Sequence, residues 1–403
     1  MSGLQKELLC LKEHHTGRIK ALCGTGLRAD GQPVFISGGE DLDIHITNAI
    51  SGDIIQTIPA FNGRPGHPGH RDKIYCIAIW TKTIERSKSK SKKQEIEHYI
   101  ISTGEDRLLR LWELDTGASV KTIPSSNLSG IFNTELTHED YVHSLVVIDD
   151  FDQCITASYD RTIRIWDLIG GVEVRQIKQD KVLYDIAVNV ESASIASTNS
   201  LHINIWNIAG ESKIDSILRY HKRTVTSLSW PRPNLLLSCS DDKMMNIWDP
   251  TDKENPLKQT LEHQQTSCQI LIYEDDKCYL AISAAFGSPN SVRIWNWEQP
   301  EEEEDGKVSA PPPDNEEVEI SEPEPLVKLL ESFIGHDDKV CALAICDDGK
   351  SIDSQRKKDQ PAEIKRIASA SWDGSIRIWD LQKVAEGIHR AKFKKAAQTS
   401  RMV

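Results

Sequence analysis

Short runs in which apolar and polar residues alternate recur along almost the whole chain, each bounded by Gly, Asp, Asn or Ser. "TIRIW" at 162–166 and "KTI" at 121–123 are typical, with β-branched side chains at alternate positions. A period of two puts one set of side chains on a buried face and the other outward, so these runs predict short, half-buried strands. No stretch within the array sustains the 3.6-residue period of an amphipathic helix. The pattern predicts an all-β protein.

The runs belong to a longer repeated phrase. "GEDRLLRLWEL" (104–114), "SYDRTIRIWDL" (158–168), "SDDKMMNIWDP" (240–250) and "SWDGSIRIWDL" (371–381) are variants of one another. "TNSLHINIWNI" (198–208) and "SPNSVRIWNWE" (288–298) are weaker copies, and "GEDLDIHITNA" (39–49) has Thr47 at the tryptophan position. Ahead of each comes a His, or a substitute, with an apolar residue four positions later: His15/Ile19, His70/Ile74, His138/Val142, His221/Val225 and His336/Val340 fit well, Gln179/Leu183 and His263/Ser267 less well. Repeats of this length indicate one array of stacked units rather than separate domains. The interval from Trp295 to Trp379 is long enough for two units, but residues 299–325 are too acidic and proline-rich to supply packed strands, which leaves seven.

On these motifs the chain resembles the WD-repeat family over about 5–381. That resemblance implies a seven-bladed β-propeller of four-stranded antiparallel blades. The last unit stops after its third strand, so "QKELLCL" (5–11) is expected to close it by pairing beside "IRIWDL" (376–381). The family pattern also implies a His–Ser/Thr–Asp–Trp hydrogen-bond network in each blade. Four blades carry the full set: His70, Ser102, Asp106 and Trp112; His138, Thr156, Asp160 and Trp166; His221, Ser238, Asp242 and Trp248; His336, Ser369, Asp373 and Trp379. Ser, His and Asp together also suggest a hydrolase, but a catalytic triad is needed once, in one cleft with an oxyanion hole, whereas this set recurs around a ring. No phosphate-binding glycine loop or clustered metal-ligand spacing accompanies it, so neither catalysis nor a cofactor or metal is expected. Blade 1 lacks the tryptophan, blade 4 has Gln179 and Ser200 for His and Asp, and blade 6 has "GSPNS" at its turn; these three are expected to be less rigid.

Charge alters the picture in one place. The net charge is −13, yet twelve acids and one lysine fall within 298–325, so the body of the protein is nearly neutral. The segment reads as an insertion inside the propeller, either a solvated spacer or a docking arm for a basic partner. "TKTIERSKSKSKKQEIEH" (81–98) and "CDDGKSIDSQRKKDQPAEIKR" (346–366) read as insertions between the first two strands of blades 2 and 7, with "KSKSKK" as a solvated loop, an import patch or a phosphate contact. With the basic tail at 382–403, all emerge from one face. Nine scattered cysteines without CxxC pairs suggest reduced thiols, and no secretory signal or membrane-length apolar run is present, so a cytoplasmic or nuclear protein is expected.

The opposite rim carries compact turns. The residue before each turn aspartate, Glu40, Glu105, Tyr159, Asp241 or Trp372, is expected to point to solvent near the channel mouth. Tyr159 and Trp372 are the leading contacts, since aromatic side chains are favoured binding anchors; Arg64, His67 and Phe132, in longer links, could extend the surface. The resemblance makes a scaffold or adaptor for other proteins the leading function. The alternatives are a substrate receptor of a ubiquitin ligase, weakened because no Arg stands two residues after any "WD", and a nucleic-acid-associated subunit, less favoured on charge.

Overall fold

The computed structural model describes residues 7–28, 31–64, 67–88, 91–123, 137–208, 214–263, 266–275, 278–287, 289–297, 327–346 and 366–381. The chain enters on β1 (Glu7–Leu11) and then builds blade 1 from β2 (Ile19–Leu27), β3 (Pro33–Gly39), β4 (Ile44–Asn48) and β5 (Ile54–Ile58). Blade 2 is β6 (Ile74–Lys88), β7 (Ser91–Gly104), β8 (Leu109–Glu113) and β9 (Ser119–Ile123); blade 3 is β10 (Val142–Ile148), β11 (Gln153–Ser158), β12 (Thr162–Asp167) and β13 (Val172–Lys178). Blade 4 is β14 (Ile186–Asn189), β15 (Ser194–Asn199), β16 (His202–Asn207) and β17 (Ile214–Arg219); blade 5 is β18 (Val225–Arg232), β19 (Leu235–Ser240), β20 (Met244–Trp248) and β21 (Leu257–Glu262). Blade 6 is β22 (Thr266–Asp275), β23 (Cys278–Phe286), β24 (Ser291–Trp297) and β25 (Val327–Ile334), and blade 7 is β26 (Val340–Cys346), β27 (Arg366–Ser371) and β28 (Ile376–Asp380). The described residues thus form seven four-stranded antiparallel sheets, a seven-bladed propeller.

The seventh sheet has the order β1-β28-β27-β26, so the first strand completes the last blade. Leu9 pairs with Ile378 and Leu11 with Ile376, while Glu7 forms an ion pair with Arg377. Deleting residues 1–12 would bare the edge of β28, and an unpaired edge is a template for association. The expected result is a lower melting temperature together with oligomers on size-exclusion chromatography; a monomer of unchanged melting temperature would show that the clasp contributes nothing.

The core is divided among the interfaces between blades. Seven apolar clusters each bridge two neighbours. Six of them contain the repeat tryptophan of the later blade: Trp112, Trp166, Trp206, Trp248, Trp295 and Trp379, each at most 4 % exposed. At the interface of blades 7 and 1, where Thr47 replaces the indole, the cluster is made from Phe35, Leu22 and a set of alanines (Ala342, Ala344, Ala368 and Ala370). Backbones approach closely there, and a Cβ on Gly24 would lie 2.1 Å from the Ile345 carbonyl oxygen.

Turns between the second and third strands share one construction. The residue after the aspartate has a positive φ in five blades: Leu42, Arg107, Arg161, Lys243 and Gly374. The aspartate steadies this left-handed corner by accepting a backbone N–H two residues on, as from Thr162 to Asp160 at 2.8 Å and from Ser375 to Asp373 at 2.8 Å.

One expectation is altered. Residues 81–88 and 91–98 are strand, and the β6–β7 ladder continues to Lys88 opposite Ser91. The basic insertion is therefore a β-ribbon extending blade 2, not a loop. Its physical basis is the β-formers Thr81 and Thr83 facing His98 and Ile96 across the ladder, which keep period-two pairing going beyond the core. By the meander topology, the ribbon ends Lys88 and Ser91 lie on the same face as the strand ends Trp297 and Val327 and the strand ends Cys346 and Arg366. Residues 298–326, 347–365 and 382–403, which include the acidic run and the basic tail, lie outside the described residues.

Candidate protein-binding rim and the networks beneath it

In blade 3, His138 Nδ1–H donates to Asp160 at 2.7 Å, and His138 Nε2 lies 2.7 Å from Thr156 Oγ1. Trp166 Nε1–H donates to the same hydroxyl at 2.8 Å. With Nδ1 protonated, Nε2 accepts from Thr156 Oγ1–H, and the hydroxyl accepts from the indole, so each polar atom has a partner. Blade 2 repeats this through His70, Asp106, Ser102 and Trp112, and blade 5 through His221, Asp242, Ser238 and Trp248. In blade 7 His336 reaches Ser369 at 2.8 Å and Trp379 donates to Ser369 at 2.8 Å, while the Asp373 carboxylate is 3.5 Å from His336.

Burial pushes His138 and His221 below the ordinary imidazole range, which suits a neutral ring that donates at one nitrogen and accepts at the other. Burial also opposes ionisation of Asp106, but the charge and hydrogen bonds of His70 and Arg110 hold its carboxyl at about 2. Each hydroxyl in these sets is enclosed between an imidazole and an indole, and Ser102, Thr156, Ser238 and Ser369 have no exposure to solvent. A nucleophile needs to reach a substrate; these hydroxyls cannot.

The altered blades rebuild the network. In blade 4 Gln179 Nε2–H donates to Ser197, which also accepts Trp206 Nε1–H at 2.8 Å, and Asn204 donates to Gln179 Oε1 at 3.1 Å. Blade 6 keeps His263, Ser283 and Trp295. Blade 1 keeps His15 with Asp41 at 2.8 Å and Ser37 at 2.8 Å, and fills the place of the missing indole with histidines. His14 Nε2 lies 3.1 Å from Thr47 Oγ1, and His45 Nδ1 lies 3.0 Å from Thr57 Oγ1. The rings of His14, His15 and His45 pack with centroids 4.3–5.4 Å apart. His15, Asp41 and His45 bring ligand-type atoms within 4.8 Å, but both His15 nitrogens are already committed to Asp41 and Ser37, so the cluster serves the blade rather than an ion.

The turn residues of the compact rim occupy equivalent places. The backbone N–H groups of Glu40, Glu105, Tyr159, Asp241 and Trp372 donate to the carbonyls of Arg18, Lys73, Tyr141, Thr224 and Lys339, each just before an innermost strand. Their side chains are partly covered rather than freely exposed. Tyr159 stacks on His143 (5.2 Å, 6°) and meets Tyr184 edge-on at 5.4 Å. Tyr75 also stacks on His143 at 5.4 Å and contacts Tyr141. His143 Nδ1–H donates to the Tyr184 carbonyl at 2.8 Å, and burial lowers its pKa, so this hub of four tyrosines is a neutral ring. Burial and the contact with Tyr184 push Tyr159 up to about 12.

Across the mouth, Trp372 is surrounded by cations: Lys20 Nζ 4.1 Å from its ring centroid, the Arg18 guanidinium 4.6 Å and Lys339 Nζ 4.8 Å. Between the two poles lies a cavity of about 370 Å³ lined by Lys20, Tyr75, His143, Tyr184, Lys339 and Trp372. Its floor holds Asp185, which accepts from Ser144 Oγ–H at 2.6 Å and Leu228 N–H at 2.8 Å and so ties blades 3, 4 and 5 together. Burial raises that carboxyl.

Of the candidate rim residues, Trp372 lines the cavity, and Tyr159, Glu40 and Glu105 contact side chains that line it. Glu40 lies 3.6 Å from Lys20, and Glu105 accepts from Tyr75 Oη–H at 2.6 Å. Asp241 holds the corresponding position in blade 5. Arg64 and His67 sit in the link before blade 2, and their described contacts are local, to Asn62, Phe61 and Gly69. Phe132 lies outside the described residues. Sequence reasoning missed Arg18, Lys20, Tyr75, His143, Tyr184 and Lys339. Most of these flank the apolar residue that follows each repeat histidine, and lining up those flanking positions across the repeats would have found them.

Among the described residues no helix is long and apolar enough to cross a membrane. The family model for "WD domain, G-beta repeat" matches residues 130–167, 212–249 and 327–380. Curated relatives include a ribosome biogenesis protein WDR12 homolog of Nematostella vectensis, 28 % identical over 57 % of this chain and 56 % of its own, and one of Chlamydomonas reinhardtii, 23 % identical over 70 % and 51 %. The nuclear distribution protein PAC1 of Arthroderma benhamiae is 24 % identical over 61 % of this chain and 51 % of its own. The chain thus spans about half the length of the curated relatives it matches.

Proposed function

Since the chain is a WD-repeat protein, we propose that it works as a non-enzymatic adaptor holding other proteins together within a multi-subunit assembly. The observation that carries this reading is the rim itself: Tyr75, His143, Tyr184 and Trp372 from four blades converge on one cavity, Tyr141 and Tyr159 pack against them, and the repeat hydroxyls are sealed from solvent. Aromatic side chains held in place by their neighbours bind at low entropic cost, which is what a docking platform needs. Two of the relatives are named for ribosome biogenesis, and residues 82–93 carry several lysines. Both favour an assembly in the nucleus that contains RNA, with the propeller contributing protein contacts at the rim and the ribbon a salt-sensitive contact on the opposite face.

The test is affinity purification of the tagged chain with identification of recovered proteins, repeated with Tyr159→Ala/Tyr184→Ala. The expected result is a stable partner set, rich in ribosome biogenesis factors, that is lost from the variant while the fold persists by circular dichroism. An unchanged partner set in the variant would remove the rim from the reading, and a monomeric chain without partners would remove the adaptor role.

A further inference from the structure

We infer that the cationic pole of the channel mouth recognises carboxylates, so that the partner presents an acidic peptide whose apolar or aromatic neighbours lie on the tyrosine pole. This rests on the adaptor reading and specifies its ligand. Arg18, Lys20 and Lys339 converge on one indole from two blades, with Trp372 supplying the face they share. Three like charges drawn together repel one another. Rim acids answer that repulsion only in part. Glu40 serves Lys20 at 3.6 Å, and Glu105 is engaged by Tyr75 and Lys73. Among the described residues, neither Arg18 nor Lys339 has a carboxylate within ion-pairing distance.

A second observation is independent of charge. Trp372 Nε1–H is buried and has no hydrogen-bond acceptor, although its ring lines the cavity. An indole donor in that condition costs stability unless something accepts from it. A carboxylate entering beside the ring would accept from the indole and pair with the lysines at once. Lys20 fits the same picture: burial lowers its pKa, so an arriving anion would restore what desolvation removes. Lys20 Nζ also lies 5.8 Å from the Tyr75 ring, which joins the cationic pole to the aromatic one and leaves about one residue's spacing between an acid and an apolar side chain. Asp185 on the floor is not a competitor, because its oxygens are held by Ser144 and Leu228.

The experiment uses the full chain and a fluorescein-labelled twelve-residue peptide of alternating Asp/Glu and Leu/Phe, with fluorescence anisotropy as the readout. Controls are the same peptide with lysine for each acid and a version with phosphoserine for each acid. The acidic peptide is expected to bind at least about tenfold tighter than the lysine version and to weaken about tenfold when salt is raised from roughly 50 to 300 mM. Arg18→Ala/Lys339→Ala, which removes side chains outside the hydrogen-bond networks, should weaken it a further tenfold or so, and Trp372→Phe should weaken it while melting normally. Equal affinity for the acidic and lysine peptides, or indifference to the double variant, would overturn the inference. A phosphoserine peptide bound more than about tenfold tighter than the acidic one would overturn the carboxylate assignment in favour of phosphate. If the acidic peptide fails while partners are still lost from Tyr159→Ala/Tyr184→Ala, the adaptor reading survives and only this inference falls; if both fail, both fall.

Discussion

Thr156→Val is expected to lower the stability of the protein by about 2–5 kcal/mol, although it barely changes the volume of the side chain. The hydroxyl it removes is the meeting point of the blade 3 network. Trp166 Nε1–H would lose its acceptor and His138 Nε2 its donor, both in a region that solvent does not reach. Each orphaned group costs about 1–3 kcal/mol, because desolvation is no longer offset. The chain cannot answer by rotating the indole outward, since Trp166 packs with Ile101, Leu109 and Leu111 in the interface with blade 2. Denaturant unfolding checks this, with Thr122→Val on the outer strand of blade 2 as a comparison expected to stay within about 0.5 kcal/mol. A loss below about 1 kcal/mol at Thr156 would mean the network adds little beyond packing.

Acid should weaken the protein well before its carboxylates are protonated. Burial, followed by the charge of His15, lowers His14 to about 3 and His45 to about 4, against an ordinary 6.5. Folded values below the ordinary one mean that the unfolded chain takes up these protons first. The stabilisation from the two neutral rings is complete above about pH 6.5 and is lost as the pH falls toward 4 for His45 and 3 for His14. At about 1.4 kcal/mol per pH unit for each group, the loss between pH 6.5 and 4.5 is about 3–5 kcal/mol. Asp106, held at about 2, adds its own loss only as the pH falls through the ordinary aspartate value of 3.8 toward 2. Unfolding midpoints measured from pH 7.5 to 4.5 should decline through this window, and His45→Gln should flatten the decline by about half. A midpoint indifferent to pH above 5 in both proteins would contradict the assignment.

Much of this was legible in the chain because repetition exposes physics that a single copy hides. Seven phrases ending in an alternating run gave seven blades, and the unit that stops short after Asp380 called for a strand from elsewhere, which Glu7–Leu11 supplies. The ribbon was less legible because lysines and serines obscure its period; its pairing depends on a partner strand that charge counting does not reveal. In blade 1 the missing indole was plain, whereas its replacement by His14 and His45 was not, since those rings meet only when the sheet is assembled. Gln179 illustrates the same point: an amide lacks a histidine's chemistry but spans the same gap. The rim shows the limit most sharply. Tyr159 and Trp372 could be singled out by position, but the three cations around Trp372 come from two blades that lie at opposite ends of the sequence.

The clasp has a consequence in time. Glu7 and its partner Arg377 are 370 residues apart, so the strand that finishes the last blade is made first and its partner last. At roughly 5–20 residues per second, the emerging chain carries β1 unpaired for on the order of 20–70 s while six blades form behind it. During that interval blade 1 lacks its neighbour: Phe35 and Leu22 face water where Ala342 and Ala344 will later sit. Completion of the ring therefore waits until the last blade has been made. A factor that shields the face of blade 1 during synthesis would act on a surface that no longer exists in the finished molecule.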